Sequence, residues 1–355
     1  VIRMGKSLKN AQDEFLKLLG RIERKSITPF LQWIEDTYLD DSPSKPKYIE
    51  DANLALREMA EYIRPKVPVN AVLPSENIAP PLEGHDADCK DECTANVDCF
   101  LYEEDEVEEC VKAGTMSRSY CVDCLSRNIK PLTFISHSLS IPQLEFMFTK
   151  VIPLAKKPEG FTVVDIGSRF GSILAAAHLY SHGKTHAIGI ELNEELCNLQ
   201  REAIAAFNME NIDIVHSDVR NQGEIIAKAD VIVMNNVFAF FLNKEEHIDC
   251  WNFLISHIKK GTFIIHNPAI DFTVSHLNLP DFNKWLKKID IESLAAESAG
   301  GNEDLFEDLS SLCLYEAFTN RSLLDGETKE EDMKEEEVSK NESREGTVPK
   351  KKKKK

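Results

Sequence analysis

From residue 161 onward, short uninterrupted apolar runs alternate with amphipathic stretches, and few folds can satisfy that alternation. Runs at 162–166, 186–191, 212–216, 230–234 and 262–266 are too continuously apolar to have a wet side, so each is expected to be buried on both faces. The stretches between them, at 172–180, 194–207 and 244–258, carry helical patterns. Buried strands joined by helices make a doubly wound, mostly parallel α/β sheet. A last run at 311–318 reads as the antiparallel strand that closes it, and 281–289 reads as one more helix.

Open sheets of this kind bind ligands at the carboxyl ends of their strands. The first run leads into Asp165-Ile166-Gly167-Ser168-Arg169-Phe170-Gly171, between a strand and a helix. Glycines there let the backbone turn tightly and approach a ligand closely. The second run ends in Gly189-Ile190-Glu191, and that carboxylate can accept both hydroxyls of a ribose. The third ends in His216-Ser217-Asp218-Val219, where Asp218 can accept from an adenine amino group. The glycine loop is G-x-x-x-G and lacks the G-x-G-x-x-G spacing that cradles a pyrophosphate, which argues against a dinucleotide.

Residues 161–269 resemble the class I, Rossmann-like methyltransferases that use S-adenosyl-L-methionine (SAM). The resemblance implies a seven-stranded sheet and methyl transfer. It implies that Asp165, Gly167, Ser168 and Gly171 shape the methionine end of the pocket, that Glu191 holds the ribose, and that Asp218 with Val219 frames the adenine. Arg169 stands where the family's loop has its middle glycine. Three fates are open to it: pointing outward, pairing with the SAM carboxylate, or blocking the pocket. The last would leave a scaffold that keeps the fold without the activity.

The fourth run ends in Asn235-Asn236-Val237-Phe238-Ala239-Phe240, which is similar to the acceptor loop of the non-SET histone-lysine methyltransferases. That resemblance implies that Asn235, also beside the cofactor, and Phe238 line the acceptor channel. The acceptor would then be a nitrogen, with a protein lysine as the first candidate. Phe240 and Phe241 read as core residues. His266-Asn267-Pro268 reads equally as a polar wall or a plain loop. An RNA substrate is the other alternative, and a formal net charge of -18 opposes it, because phosphate binding needs cationic surface.

Of nine cysteines, Cys89, Cys93, Cys99, Cys110, Cys121 and Cys124 fall close together in an acidic stretch. Cys121-Val122-Asp123-Cys124 has the spacing that turns two thiolates toward one ion. A structural Zn2+ site is expected on Cys93, Cys110, Cys121 and Cys124, with Cys89 and Cys99 competing for the place of Cys93 and His137 as an outside candidate. A redox dithiol is the alternative. His137, just before a helix at 141–151 that leads into the first strand, also reads either as a structural histidine or as a residue over the active site. Cys197, Cys250 and Cys313 read as core.

The expected organisation is a helical lead-in at 1–66, a proline-rich linker at 67–84, the zinc-binding module at 85–135, the sheet domain at 136–320 and a disordered charged tail at 321–355. The lysines at 350–355 read as a nuclear localisation signal, a tether or an uninformative end. The acidic stretch at 83–109 reads as solvated surface. No apolar run is long enough for a membrane span, and no signal peptide is seen. The opening on Val1 suggests a fragment or a processed start. A cytosolic or nuclear protein is expected, with a basic protein as partner and nucleic acid less favoured.

Overall fold

The computed structural model describes residues 15–34, 45–122 and 129–319. It divides into two compact units, Val1–Lys47 and Tyr48–Lys355. Cys124 and the charged tail from 320 on lie outside the described residues.

In the first unit a helical turn at 15–19 is followed by a 3-10 turn, Arg24–Ser26, and helix α1, Ile27–Ile34. The rings of Phe15 and Phe30 stack at 6.3 Å.

The second unit opens with α2, Lys47–Ile63, whose buried face is Ile49, Ala52, Leu56, Met59, Ala60 and Ile63. That spacing is one stripe of a helix. Residues 67–84 hold no strand or helix, as their prolines require. The cysteine-rich region follows: β1 (Thr94–Asn96), α3 (Glu104–Ala113), β2 (Ser119–Cys121), β3 (Ile129–Pro131) and β4 (Thr133–Ile135). β1 pairs with β4 in parallel, and β2 with β3 antiparallel. α3 opens with a capping box between Glu103 and Glu106 and stops at Gly114, whose φ is +77°. α4, Ile141–Phe146, continues into a π turn, Met147–Val151.

The remaining elements are β5 (Thr162–Ile166), α5 (Ser172–Tyr180), β6 (His186–Glu191), α6 (Glu194–Ala206), β7 (Ile212–His216), α7 (Gly223–Ile226), β8 (Val231–Asn235), α8 (Lys244–His257), β9 (Phe263–Asn267), α9 (Ile270–Val274), β10 (Leu286–Ile289), α10 (Glu292–Ala299), α11 (Glu303–Ser310) and β11 (Cys313–Ala317). The sheet runs β10-β11-β9-β8-β5-β6-β7. β5 to β9 are parallel, while β11 is antiparallel to both β9 and β10. The chain winds outward from β5 to β7, then restarts on the other side at β8. β5 and β8 therefore flank the switch point, where the crevice of such a sheet opens.

Alternate residues of each strand feed two cores. Val163, Val231, Val233 and Ile265 face one core, shared with α2, α4, α5, α6 and the apolar residues of the cysteine-rich region, Val97, Phe100, Leu101, Tyr102 and Val107. Val164, Ile166, Ile188, Ile190, Ile232 and Met234 face the other, with Trp251 and Leu254 of α8. The cysteine-rich region thus folds onto the sheet domain through apolar contact.

One element differs from expectation. The helix expected at 281–289 is instead a 3-10 turn, Phe282–Lys284, followed by β10. Phe282, Trp285, Leu286 and Ile289 have the spacing of a helix face, which misleads. Phe282 and Trp285 pack at the turn, with the Phe282 ring 5.2 Å from that of Trp251. β11 would otherwise present an open edge, and β10 supplies its backbone partners from Leu286↔Ala317 to Ile289↔Leu314. Among the described residues no helix is long and apolar enough to cross a membrane.

Candidate active site

β5 ends at Ile166 and the chain must reverse into α5 within a few residues. Gly167 has φ +75°, and a Cβ there would meet Val237 Cγ2 at 2.1 Å, so only glycine fits between β5 and the loop after β8. Gly171, at φ +76°, starts α5 against Gln200. The turn leaves a cavity of about 310 Å³ over the carboxyl ends of β5, β6 and β8.

Of the residues expected at a cofactor, Gly167, Arg169, Glu191, Asp218, Val219 and Asn235 line this cavity together, as does Phe238. Asp165, Ser168 and Gly171 are not among its lining residues. The Ser168 hydroxyl is spent on Gln200, at 2.9 Å. Asp165 is buried, and burial, then the neighbouring Glu191 charge, pushes its carboxyl well above the usual range.

Glu191 is held in place by backbone donors. Its Oε2 accepts from Arg169 N at 3.0 Å and its Oε1 from Asn193 N at 2.8 Å. Burial raises its pKa, against the lowering effect of those bonds. Each oxygen keeps acceptor capacity for a further donor. Asp218 is differently placed. Arg220 clamps both of its oxygens, with Nε 3.0 Å from Oδ1 and Nη2 2.6 Å from Oδ2, and holds its pKa down. An incoming amino group must share that carboxylate with Arg220.

Arg169 does not point outward. Its φ of +43° is a glycine-like conformation. Its side chain, 7% exposed, is bound by protein: Nη1 to Asp98 Oδ2 at 2.6 Å, Nε to Glu76 Oε1 at 3.3 Å and Nη2 to Ala71 O at 2.5 Å. Both carboxylates are buried more deeply still. Asp98 also accepts from the amides of Phe100 and Leu101 and from the Ser138 hydroxyl. So the acidic stretch, expected to be solvated surface, contributes one of the most buried charges of the site.

The proline-rich segment is a strap across the site. Ala71 and Leu73 are in the core, and Ser75, Glu76 and Asn77 line the cavity. It is tied to every loop it crosses: to Arg169 after β5, to Asn193 and Glu195 after β6 through Ser75, and to Phe240 after β8 through Ala79 N. Prolines signalled its lack of regular structure, but these ties join residues far apart in sequence.

At the β8 end, Asn267 Nδ2 donates to Asn235 Oδ1 at 2.9 Å, which fixes the Asn235 amide and places Asn267 of the His266-Asn267-Pro268 turn beside the site. His137 also lines the cavity, with Phe241. Its ring meets Phe240 and Phe241, each at 5.3 Å, and burial, with a smaller push from the Arg169 charge, lowers its pKa to about 3.

No known family model and no curated protein matches the sequence. Solved structures similar to the chain include the precorrin-6Y C5,15-methyltransferase of Geobacter metallireducens GS-15, at 14% identity over 39% of this chain and 70% of that one, with a TM-score of 0.30. TrmN of Thermus thermophilus is similar at 14% identity, over 50% of this chain and 48% of that one, TM-score 0.35. An RNA methyltransferase of Salinibacter ruber, solved with S-adenosyl-L-homocysteine, is similar at 16% identity, over 50% and 90%, TM-score 0.32. The match thus spans only about half of the Thermus protein. The strand order described above is that of a large, mostly parallel sheet closed by antiparallel strands. It is the doubly wound, seven-stranded, mostly parallel α/β sheet expected from the sequence.

Of the expected zinc ligands, Cys93, Cys110 and Cys121 do not line this cavity. Cys93 Sγ lies 3.5 Å from Lys90 O, and Cys93 and Cys110 are not disulfide-bonded. Cys124, the second half of the C-x-x-C pair, lies outside the described residues. Among the described residues, no group of three or more His, Cys, Asp or Glu side chains is placed to hold a metal ion. Cys250, expected in the core, also lines the cavity, its thiol pushed up to about 12 by burial.

Proposed function

We propose that this chain binds SAM in the cavity and transfers its methyl group to a nitrogen acceptor, with a protein lysine as the first candidate. The observation that carries the reading is the meeting, in one cavity, of the Gly167 turn, the Glu191 carboxylate and Asn235, from the ends of three separate strands. The residues fit the group. Gly167 gives backbone access where a side chain would collide, Glu191 offers a carboxylate for a ribose diol, and Val219 and Ile190 offer an apolar surface for a base.

Bound SAM supplies an electrophilic methyl on a positively charged sulfur. The chain's own residues bind and orient. Methyl displacement mainly requires alignment, so fixed walls matter more than acid–base power. Asn235, with its oxygen tied to Asn267, presents its amide hydrogens. Phe238 and Phe241 keep water from the reacting end. The acceptor class follows from the Asn-Asn-x-Phe-Ala-Phe resemblance, and the net charge of -18 favours a basic protein over RNA. A cytosolic or nuclear setting goes with that reading.

Calorimetric titration with SAM and with S-adenosylhomocysteine tests it. Micromolar binding that weakens in Glu191→Gln supports the cofactor reading. Absence of binding by either ligand rejects it in favour of a scaffold, a reading that the strap fastened over the cavity also suits. The zinc site on Cys93, Cys110, Cys121 and Cys124 rests on spacing alone. Stoichiometric zinc in the purified chain, lost in Cys121→Ser, supports it, and a metal-free folded chain rejects it.

A further inference from the structure

We propose that His137 is the hydrogen-bond acceptor that orients the methyl-accepting nitrogen, and that the acceptor therefore arrives carrying an N–H. The inference rests on the SAM reading above and deepens it.

Three observations place His137 for this task. It lines the same cavity as Asn235 and Phe238, although it comes from the segment before β5. Its Nε2 lies 3.1 Å from Asn96 Oδ1. An amide oxygen only accepts, so Nε2 carries the proton and Nδ1 is left as a bare lone pair. Among the described residues Nδ1 has no protein partner. Phe240 and Phe241 both pack edge-on against the ring, and Asn96 sits in β1, which β4 holds in register as Asn96↔Ile135. The imidazole is thus fixed in rotation and in tautomer. Its low basicity, set by burial and by Arg169, keeps it neutral at physiological pH.

The other polar groups around the reacting end have different tasks. Asn235 has its oxygen occupied by Asn267 and offers donors. Glu76 is paired with Arg169. Glu191 is at the β6 end, where the ribose is assigned. His137 Nδ1 is then the acceptor left for a substrate N–H. In the step, the nitrogen lone pair forms the new bond to the methyl carbon while the carbon–sulfur pair stays on sulfur. The proton aligned on Nδ1 leaves to water, since so weak a base does not retain it. Nitrogen with at least one hydrogen, such as a neutral amine, satisfies the site, whereas a fully substituted nitrogen leaves Nδ1 unpaired.

Sinefungin provides the probe, because it carries an amine in the place of the transferable methyl. With the full chain, sinefungin is expected to bind at least fivefold more tightly than S-adenosylhomocysteine. In His137→Ala that ratio should fall to about one while S-adenosylhomocysteine affinity moves less than twofold. His137→Gln, which keeps a carbonyl acceptor, should restore part of it. An unchanged ratio in His137→Ala overturns the proposal, and failure of both ligands to bind the wild-type chain overturns the SAM reading beneath it. If the variants do not fold, 15N-histidine spectra of the wild-type chain decide. A protonated Nε2 with a bare Nδ1 at pH 7 supports the proposal, and the opposite tautomer overturns it.

Discussion

Arg169 shows how an unexpected residue in a glycine loop can be explained by what it touches. It occupies a glycine-like φ and in return pins Glu76, Asp98 and the Ala71 carbonyl beneath the strap. Removing one partner from a buried ion pair leaves the other charge uncompensated, at a typical cost of about 3–5 kcal/mol. Asp98→Ala should lose stability of that order in urea titrations, and hydrogen exchange at 71–77 should accelerate. Equal exchange in the variant and the parent would reject the fastening role. Glu191→Gln is expected to weaken SAM binding by about 1–3 kcal/mol, the range for a hydrogen bond to a charged group. Gly167→Ala should abolish binding outright, because both its φ and Val237 exclude a Cβ.

At the scale of elements, α2 is an integral part of the sheet domain. Leu56 and Met59 are fully buried in the core that also holds β5 and α5, and Tyr180 donates to Asn53 at 2.5 Å. A Leu56→Ala substitution should cost about 2–5 kcal/mol, as for other buried leucines. A melt unchanged from the parent would detach α2 from that core. The helix was legible from its apolar stripe, but its docking was not, because nothing in a periodic pattern names the opposite surface. β10 illustrates the converse. Its apolar spacing pointed to a helix, and the need of β11 for backbone partners overrode it.

For the whole molecule, three histidines of lowered basicity make stability depend on pH. His137 is lowered to about 3, His247 to about 4 and His266 to about 4, burial being the largest cause in each. Their folded pKa lies below the unfolded value, so the unfolded chain takes up protons first as pH falls. Stability from these groups is present above about pH 6.5 and is lost progressively toward pH 4. The raised carboxyls of Asp165 and Glu191 act in the opposite sense, binding protons in the folded state first. On going from pH 7 to pH 5, His247→Gln should therefore lose less of its urea midpoint than the parent does. His247 is the cleaner probe because its Nε2 accepts from the Trp251 indole at 3.1 Å, a bond that protonation would break. An identical slope in the variant would remove His247 from the account.

The sequence alone determined the sheet domain, because strands buried on both faces and helices with one wet face leave distinct periodicities. It also determined which strand ends carry Gly167, Glu191, Asp218 and Asn235, since binding groups in this architecture sit at fixed points along the chain. Tertiary structure decided everything that depends on distant partners. It turned the proline-rich segment into a strap, and it buried Asp98 from an acidic run beside Arg169. It engaged Asp218 with Arg220 and brought His137, held by Asn96, to the cavity. Local patterns report which face of an element is apolar, whereas the pairing of charges and the choice of tautomer arise only when separate segments close on one cavity.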